Sequence, residues 1–304
     1  MIPELQATFP DLSLRRVCPL LGISRSGVYE NGQRLETEAE TVALRDAIED
    51  IVLEFPGYGY RRVTHALRRE GWVINHKRVL RVMREESLLC QLKRRFVVTT
   101  DSRHQFANYP DLLRDQTVCG PNQAWVADIT YVRLPTTFVY LYLATILDAW
   151  SRRCVGWELS PQIDTDLTLA ALEQAIVSRS PAPGLLHHSD HGVQYASTRY
   201  VERLEQRGTQ ISMAAVGNPY QNALAESFFA TLKREEVSLH DYQTYAEAEA
   251  NLERFINDVY NHKRLHSSLG YRPPSEFEAR FDDERFSEER FLEGTKNSTL
   301  ALVR

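Results

Sequence analysis

The chain has 304 residues, 43% hydrophobic and 25% charged, which suits a soluble globular protein of two or three units and excludes a disordered or fibrous one. Its longest apolar run, Phe138 to Leu147, is about half of what a membrane crossing needs, and no basic-then-apolar leader opens the sequence; the protein is expected in the cytoplasm, nucleoid-associated, and not in a membrane. The net charge of −5 is unevenly spread: residues 61–95 hold eleven Lys or Arg against three Glu, the asymmetry of a polyanion-binding module or of a solvated helical surface.

Leu14, Val17, Leu20 and Leu21 recur at helical spacing, Gly22 interrupts them, and Ser24 is placed to cap a short second helix. That is a helix-turn-helix pattern, which would aim Arg25 and Ser26 at a DNA groove, though plain helical hairpins share it. A second amphipathic helix is predicted from Glu36 to Phe55, ended by Pro56-Gly57. A second hairpin follows, with one apolar stripe on Val63, Ala66 and Leu67, a break at Gly71, and another stripe on Val79, Leu80, Val82 and Met83. Arg61, Arg62, Lys77, Arg78 and Arg81 decorate it and are candidate phosphate contacts. Lys93 to Asn122 has no clean period, carries Pro110, Gly120 and Pro121, and reads as a linker.

Composition then changes. QAWVADITYVRL, FVYLYLATILDAW and RRCVGWELS are three strand-like runs joined by short turns. A helix capped by Asp164 or Thr165, a strand at Leu185–His188, a helix at Thr198–Arg207 and a strand at Thr209–Met213 come next. Three meandering strands followed by two strand-helix alternations predict an α/β sheet of mixed strand directions, flanked by helices and preceded by an all-α region. The stretch Gly217–Glu236 closes the series as a long helix, with Asn218 as N-cap, Pro219 at its first position and Gln221 placed for a capping box. On that helix Leu224, Phe228 and Leu232 share one side, while Asn222, Glu226 and Lys233 share the other.

Three carboxylates are candidates for chemistry. Asp128 lies inside the first strand, where Asp is disfavoured and costly to bury unpaired. Asp190 closes the short fourth strand, at the carboxyl end where open α/β sheets place their sites, and Glu226 lies on the last helix. Each also has an ordinary explanation: local hydrogen bonding, turn chemistry before Gly192, and solvation. Brought together they would repel, and would make sense as oxygen ligands of hard divalent ions serving phosphoryl displacement. Asp148 reads as a turn residue, Asp164 and Asp166 as helix-start residues, and His187 and His188 as strand side chains. Lys233 is a phosphate clamp or a solvated lysine. Cys18, Cys90, Cys119 and Cys154 are scattered without C-x-x-C or paired His, which speaks for free thiols and against a zinc finger.

The ordered motifs W-V-A-D-I-T-Y, L-D-A-W-S-R-R-C-V-G-W, H-S-D-H-G-V-Q-Y-A-S, G-N-P-Y-Q-N-A-L-A-E-S-F-F-A-T-L-K-R-E-E and Y-N-H-K-R-L-H-S-S-L-G-Y-R-P-P resemble the OrfB transposases of the IS-three insertion-sequence family, relatives of retroviral integrases. Y-G-Y-R-R and N-H-K-R-V-L-R-V-M-R-E extend the resemblance into the basic hairpin, so that it spans about Leu12 to Phe277. It implies a ribonuclease-H-like core whose catalytic, metal-holding DDE triad falls on Asp128, Asp190 and Glu226, with two Mg²⁺ or Mn²⁺ ions per site. DNA contacts would include Asn222, Lys233, Arg264 and His266. Gln221 stands where the family has Asp, and Ala214-Ala215 where it has Ser-Arg. The expected division is a helix-turn-helix-like segment (1–35), a basic DNA-binding domain (36–97), a linker (98–118), the catalytic core (119–275) and an acidic tail (276–304). Expected partners are terminal-repeat and target DNA, further copies of the chain, and an OrfA protein, fused or separate. A hydrolytic nuclease of the same fold and a DNA-binding repressor on an inactive core are the alternatives.

Overall fold

A computed structural model describes residues 24–90, 109–114, 116–134, 140–214 and 223–281, together with Arg15, Cys18 and Gly22. The chain divides into two compact units, residues 1–90 and 91–304. Among the described residues no helix is long and apolar enough to cross a membrane.

The first unit is helical: α1 (Arg25–Glu54), α2 (Tyr60–Arg69) and α3 (His76–Glu85). The sequence predicts a short helix after Ser24 and a separate one from Glu36, whereas α1 runs through both. No Pro interrupts it, and Gly27 and Gly32, the two glycines inside it, cost only about 1 kcal/mol each. Pro56-Gly57 does end it. Leu44, Ile48, Val63, Leu67, Val79 and Met83 bury their side chains completely between the three helices. The turn from α2 to α3 is set by Gly71, whose φ of +96° suits glycine, and by Asn75, whose side chain accepts from the Lys77 N–H at 2.9 Å.

The second unit is a five-stranded sheet: β1 (Ala124–Arg133), β2 (Tyr140–Asp148), β3 (Cys154–Ser160), β4 (Leu186–Ser189) and β5 (Gln210–Met213), in the order β3-β2-β1-β4-β5. The first three are antiparallel, as a meander must be, and β4 and β5 add in parallel through crossover helices. These are α4 (Thr165–Arg179), capped by the Asp164 carboxylate on the Leu167 N–H at 3.0 Å, and α5 (Thr198–Glu205). Next come α6 (Ala223–Leu232) and α7 (Tyr245–Glu253), each prolonged by wider π-type turns, Lys233–Val237 and Arg254–Lys263. A last helix, α8, covers 274–281.

Strand alternation divides the core. Trp125, Ala127, Ile146 and Val155 pack with Leu172, Ala175, Tyr200 and Leu204 of α4 and α5. Val126, Val132, Leu143 and Leu147 pack with Phe228, Leu232, Leu252 and Tyr260 of α6 and α7. Asp128, two residues from Val126 on β1, therefore belongs to the strand face that α6 and α7 cover.

Two further elements depart from the sequence reading. Residues 109–114 are not a free connector: the Met213 N–H donates to the Pro110 carbonyl at 3.3 Å, and the Leu112 N–H to Ser212 Oγ at 2.9 Å, which fastens the segment along β5. The acidic terminal stretch begins inside α8, where Phe277 and Phe281 close on Trp150 at ring-centroid distances of 4.5 and 4.9 Å. Glu278 of that helix is buried and meets Arg179 at 2.8 Å and Arg153 at 2.8 Å.

Candidate active site

The parallel pairing of β1 and β4 aligns Ala127 with Ser189, so Asp128, the next residue of β1, and Asp190, the first residue past β4, come directly after an aligned pair. Asp128 Oδ1 accepts from the Ile129 N–H at 2.7 Å, and Asp190 Oδ1 from the Gly192 N–H at 2.9 Å. The second bond tightens the turn after β4 until a side chain at 192 has no room: a Cβ there would lie 2.9 Å from Asp190 Oδ1. Both carboxylates act on the phenol of Tyr195, five residues beyond Asp190. Burial pushes that hydroxyl's pKa well up, and the neighbouring Tyr200 and the charges of Asp128 and Asp190 push it further. The two aspartates thus share one neighbourhood.

Lys233, where α6 widens, reaches the same place. Its Nζ stands 4.4 Å from the centroid of the Tyr131 ring. Partial burial lowers its pKa, and the Asp128 charge opposes that shift. Glu226 is on the first turn of α6, exposed. Among the described residues no three His, Cys, Asp or Glu side chains form a group able to hold a metal ion. Asp128 and Asp190 are brought together, and Glu226 is not gathered with them. Asn222 and the rest of 215–222, including the predicted cap Asn218-Pro219, lie outside the described residues.

The residues read as bystanders serve local structure. Asp148 is completely buried and accepts from the N–H groups of Asn122, Trp150 and Ser151 at 2.6, 3.0 and 2.9 Å, which holds the β2–β3 turn to the start of β1. His187 shares a hydrogen bond with Tyr200 Oη at 2.9 Å, and His188 one with Ser212 Oγ at 2.8 Å.

Two expected DNA contacts need correction. Arg264 is 2% exposed, and its guanidinium meets the buried Glu235 carboxylate at 2.7 and 2.8 Å, so it ties the segment after α7 to the extension of α6. His266 is buried too, its ring edge-on to Tyr260 at 4.8 Å and its backbone bridged to Arg272. Neither presents itself to a polymer outside the fold. In the first unit Arg61, Lys77 and Arg81 are exposed. Arg62 lies over the Tyr58 ring at 5.7 Å, and Arg78 is paired with Glu40 of α1 at 3.2 Å. Arg25 opens α1. Sequence reasoning passed over Tyr195, Tyr131 and Glu235; the first two look like core aromatics, and Glu235 acquires meaning only through Arg264, far along the chain.

The donor set suits a hard divalent cation, since Asp128, Asp190 and Glu226 offer only carboxylate oxygens. The buried Tyr195 hydroxyl, with no hydrogen-bond partner beside two aspartates, fits a polar site completed by something more than these side chains. An antiparallel three-strand meander extended by two parallel strands, with one aspartate inside the first strand and another just past the end of the parallel strand beside it, defines a ribonuclease-H-like core of the integrase class.

Comparison with known proteins narrows the class. Models described as "Integrase core domain" match residues 119–219 and 207–274, and one described as "HTH-like domain" matches 39–96. The transposase for insertion sequence element IS904 of Lactococcus lactis is 37% identical over 79% of this chain and 95% of its own. The transposase InsF for insertion sequence IS3A of Escherichia coli is 34% identical over 91% of this chain and 96% of its own. Among solved structures, the simian T-cell lymphotropic virus intasome in complex with PP2A regulatory subunit B56 gamma aligns at a TM-score of 0.46 and 15% identity, covering 73% of this chain and 70% of that one. The chain belongs to the IS3-type insertion-sequence transposases, and its function is DNA transposition.

Proposed function

We propose that Asp128, Asp190 and Glu226 are the catalytic triad of this transposase and hold a pair of Mg²⁺ or Mn²⁺ ions. The supporting observation is the juxtaposition of Asp128, inside β1, and Asp190, just past the end of the adjacent β4, with Lys233 beside Asp128. When bound, such ions lower the pKa of an attacking oxygen and neutralise charge on the leaving one. In the first step water attacks the phosphorus at the element end; the bond from phosphorus to the 3′-oxygen breaks and a 3′-hydroxyl is left. In the second, that hydroxyl attacks a target phosphodiester, one P–O bond forming as another breaks, so no external energy source is needed. The three carboxylates keep the reacting groups in line. Lys233 leaves its perch on Tyr131 to neutralise a non-bridging phosphate oxygen.

Glu226 completes the site by a shift of α6 relative to β1 once DNA is engaged. End binding falls to the helical unit, with exposed Arg61, Lys77 and Arg81 on phosphates and Arg25, Arg62 and Arg78 as further contacts, while Asn222 contacts DNA from the second unit. Multiple copies act together, since an element has two ends, and an OrfA partner, fused or separate, takes part in end recognition. Asp128→Asn and Glu226→Gln should each abolish strand transfer while leaving binding to terminal-repeat DNA within about twofold, the behaviour of a lost transition-state contact. Joining activity retained in either variant refutes the assignment of that residue.

A further inference from the structure

Two tyrosines lie side by side beneath the turn after β4, with ring centroids 5.4 Å apart, and they are treated differently. Tyr200 is fully buried and shares a hydrogen bond with His187 Nε2 at 2.9 Å. Tyr195 is 3% exposed, yet its hydroxyl is buried with no hydrogen-bond partner among the described residues. Leaving a hydroxyl so is unfavourable, and phenylalanine would fill the same volume without that penalty. The place of this phenol is specific. Its N–H is bonded to the Gly192 carbonyl at 3.1 Å, and a Cβ at Gly192 would stand 2.9 Å from Asp190 Oδ1 and 3.5 Å from Tyr195 Cδ2. Carboxylate and ring therefore both crowd the Cβ position of one glycine. Burial first, then Tyr200 and the charges of Asp128 and Asp190, push the pKa of this phenol well up, so the hydroxyl is a donor within electrostatic reach of both carboxylates.

We infer that Tyr195 is a positioning residue of the aspartate pair, its hydroxyl donating to a carboxylate of Asp128 or Asp190 when the site takes up a divalent cation. The inference rests on the reading of Asp128 and Asp190 as metal-holding groups. A donor on the outer oxygen of a ligating carboxylate fixes which lone pair faces the ion, and loss of such a partner weakens metal binding about 10–100-fold.

The test is Mn²⁺ binding to the full chain without DNA, followed by the electron paramagnetic resonance signal of free Mn²⁺, together with melting in EDTA. Tyr195→Phe should melt at or above the wild-type temperature and bind Mn²⁺ about tenfold or more weakly. If Tyr195→Phe binds Mn²⁺ as the wild type does while Asp128→Asn has lost binding, the role of Tyr195 is wrong and the aspartate reading stands. If Asp128→Asn and Asp190→Asn both bind Mn²⁺ like the wild type, the aspartate reading falls and the role of Tyr195 falls with it. Destabilisation of metal-free Tyr195→Phe would also overturn the inference, since it would mean that the hydroxyl already has a structural partner.

Discussion

Replacing Arg264 by Met should destabilise the second unit without touching the DNA-contacting surface. Burial raises the Glu235 carboxyl, but hydrogen bonds and charge from Arg264, and then Arg234, outweigh it and bring the pKa from 4.5 to about 2. At about 1.4 kcal/mol per tenfold, that displacement corresponds to roughly 3 kcal/mol, the lower end of what breaking a buried pair costs. Arg234, 2.7 Å from Glu235 Oε1, retains part of the pairing, so a loss of about 2–3 kcal/mol is expected. Urea unfolding read by tryptophan fluorescence suits the question, because Trp125, Trp150 and Trp157 all lie in the second unit. Glu235 is a group with a depressed folded pKa, so its stabilisation is present above about pH 4.5 and vanishes towards pH 2. The gap between wild type and Arg264→Met should close over that window, and a Glu235→Met/Arg264→Met double variant should recover most of the loss at neutral pH. A stability change below about 1 kcal/mol together with weakened binding to terminal-repeat DNA would refute the reasoning and restore Arg264 as a DNA contact.

His187 is buried and its pKa is pushed down to about 3 by burial and by the neighbouring His188. The unfolded chain takes up that proton near pH 6.5, so stability is lost progressively as pH falls from 6.5 towards 3; His187→Gln should flatten that limb of an acid titration followed by circular dichroism. Gly156→Ala would drive a Cβ into the Ala171 carbonyl oxygen, forcing α4 off β3, and should cost about 3 kcal/mol or more in urea unfolding. Lys77→Ala and Arg81→Ala should each lower the slope of log K against log salt for terminal-repeat DNA by about one, measured by fluorescence anisotropy. An unchanged slope would remove that residue from the interface.

The parts of the fold written in local periodicity were legible before any coordinates. The three meandering strands, the helix capped by Asp164 and the short strand just before Asp190 follow from alternation, capping and turn chemistry, each contained within a few residues. Asp128 stood out because a carboxylate is out of place among Val126, Ile129 and Tyr131. What depends on distant partners was not legible. Arg264 carries the charge of a DNA contact, and only the fold, by bringing Glu235 against it, makes it structural. Residues 109–114 have no period because they follow β5 rather than form an element of their own. A uniform 100° per residue does not describe α6 to its end, because its last turns widen, Ser238 N–H bonding to the Lys233 carbonyl at 2.9 Å, so that Glu235 and Glu236 are both buried. Tyr195 could not have been separated from ordinary core aromatics, because an unpaired hydroxyl is a property of packing.

The most direct test of the proposed chemistry is strand transfer by the full chain on pre-cleaved element ends with Mg²⁺, wild type beside Glu226→Gln. The wild type should yield products longer than the input strand, and the variant none. Products only shorter than the input would mark a nuclease that cuts without joining, and joining by Glu226→Gln at the wild-type rate would contradict the three-carboxylate site.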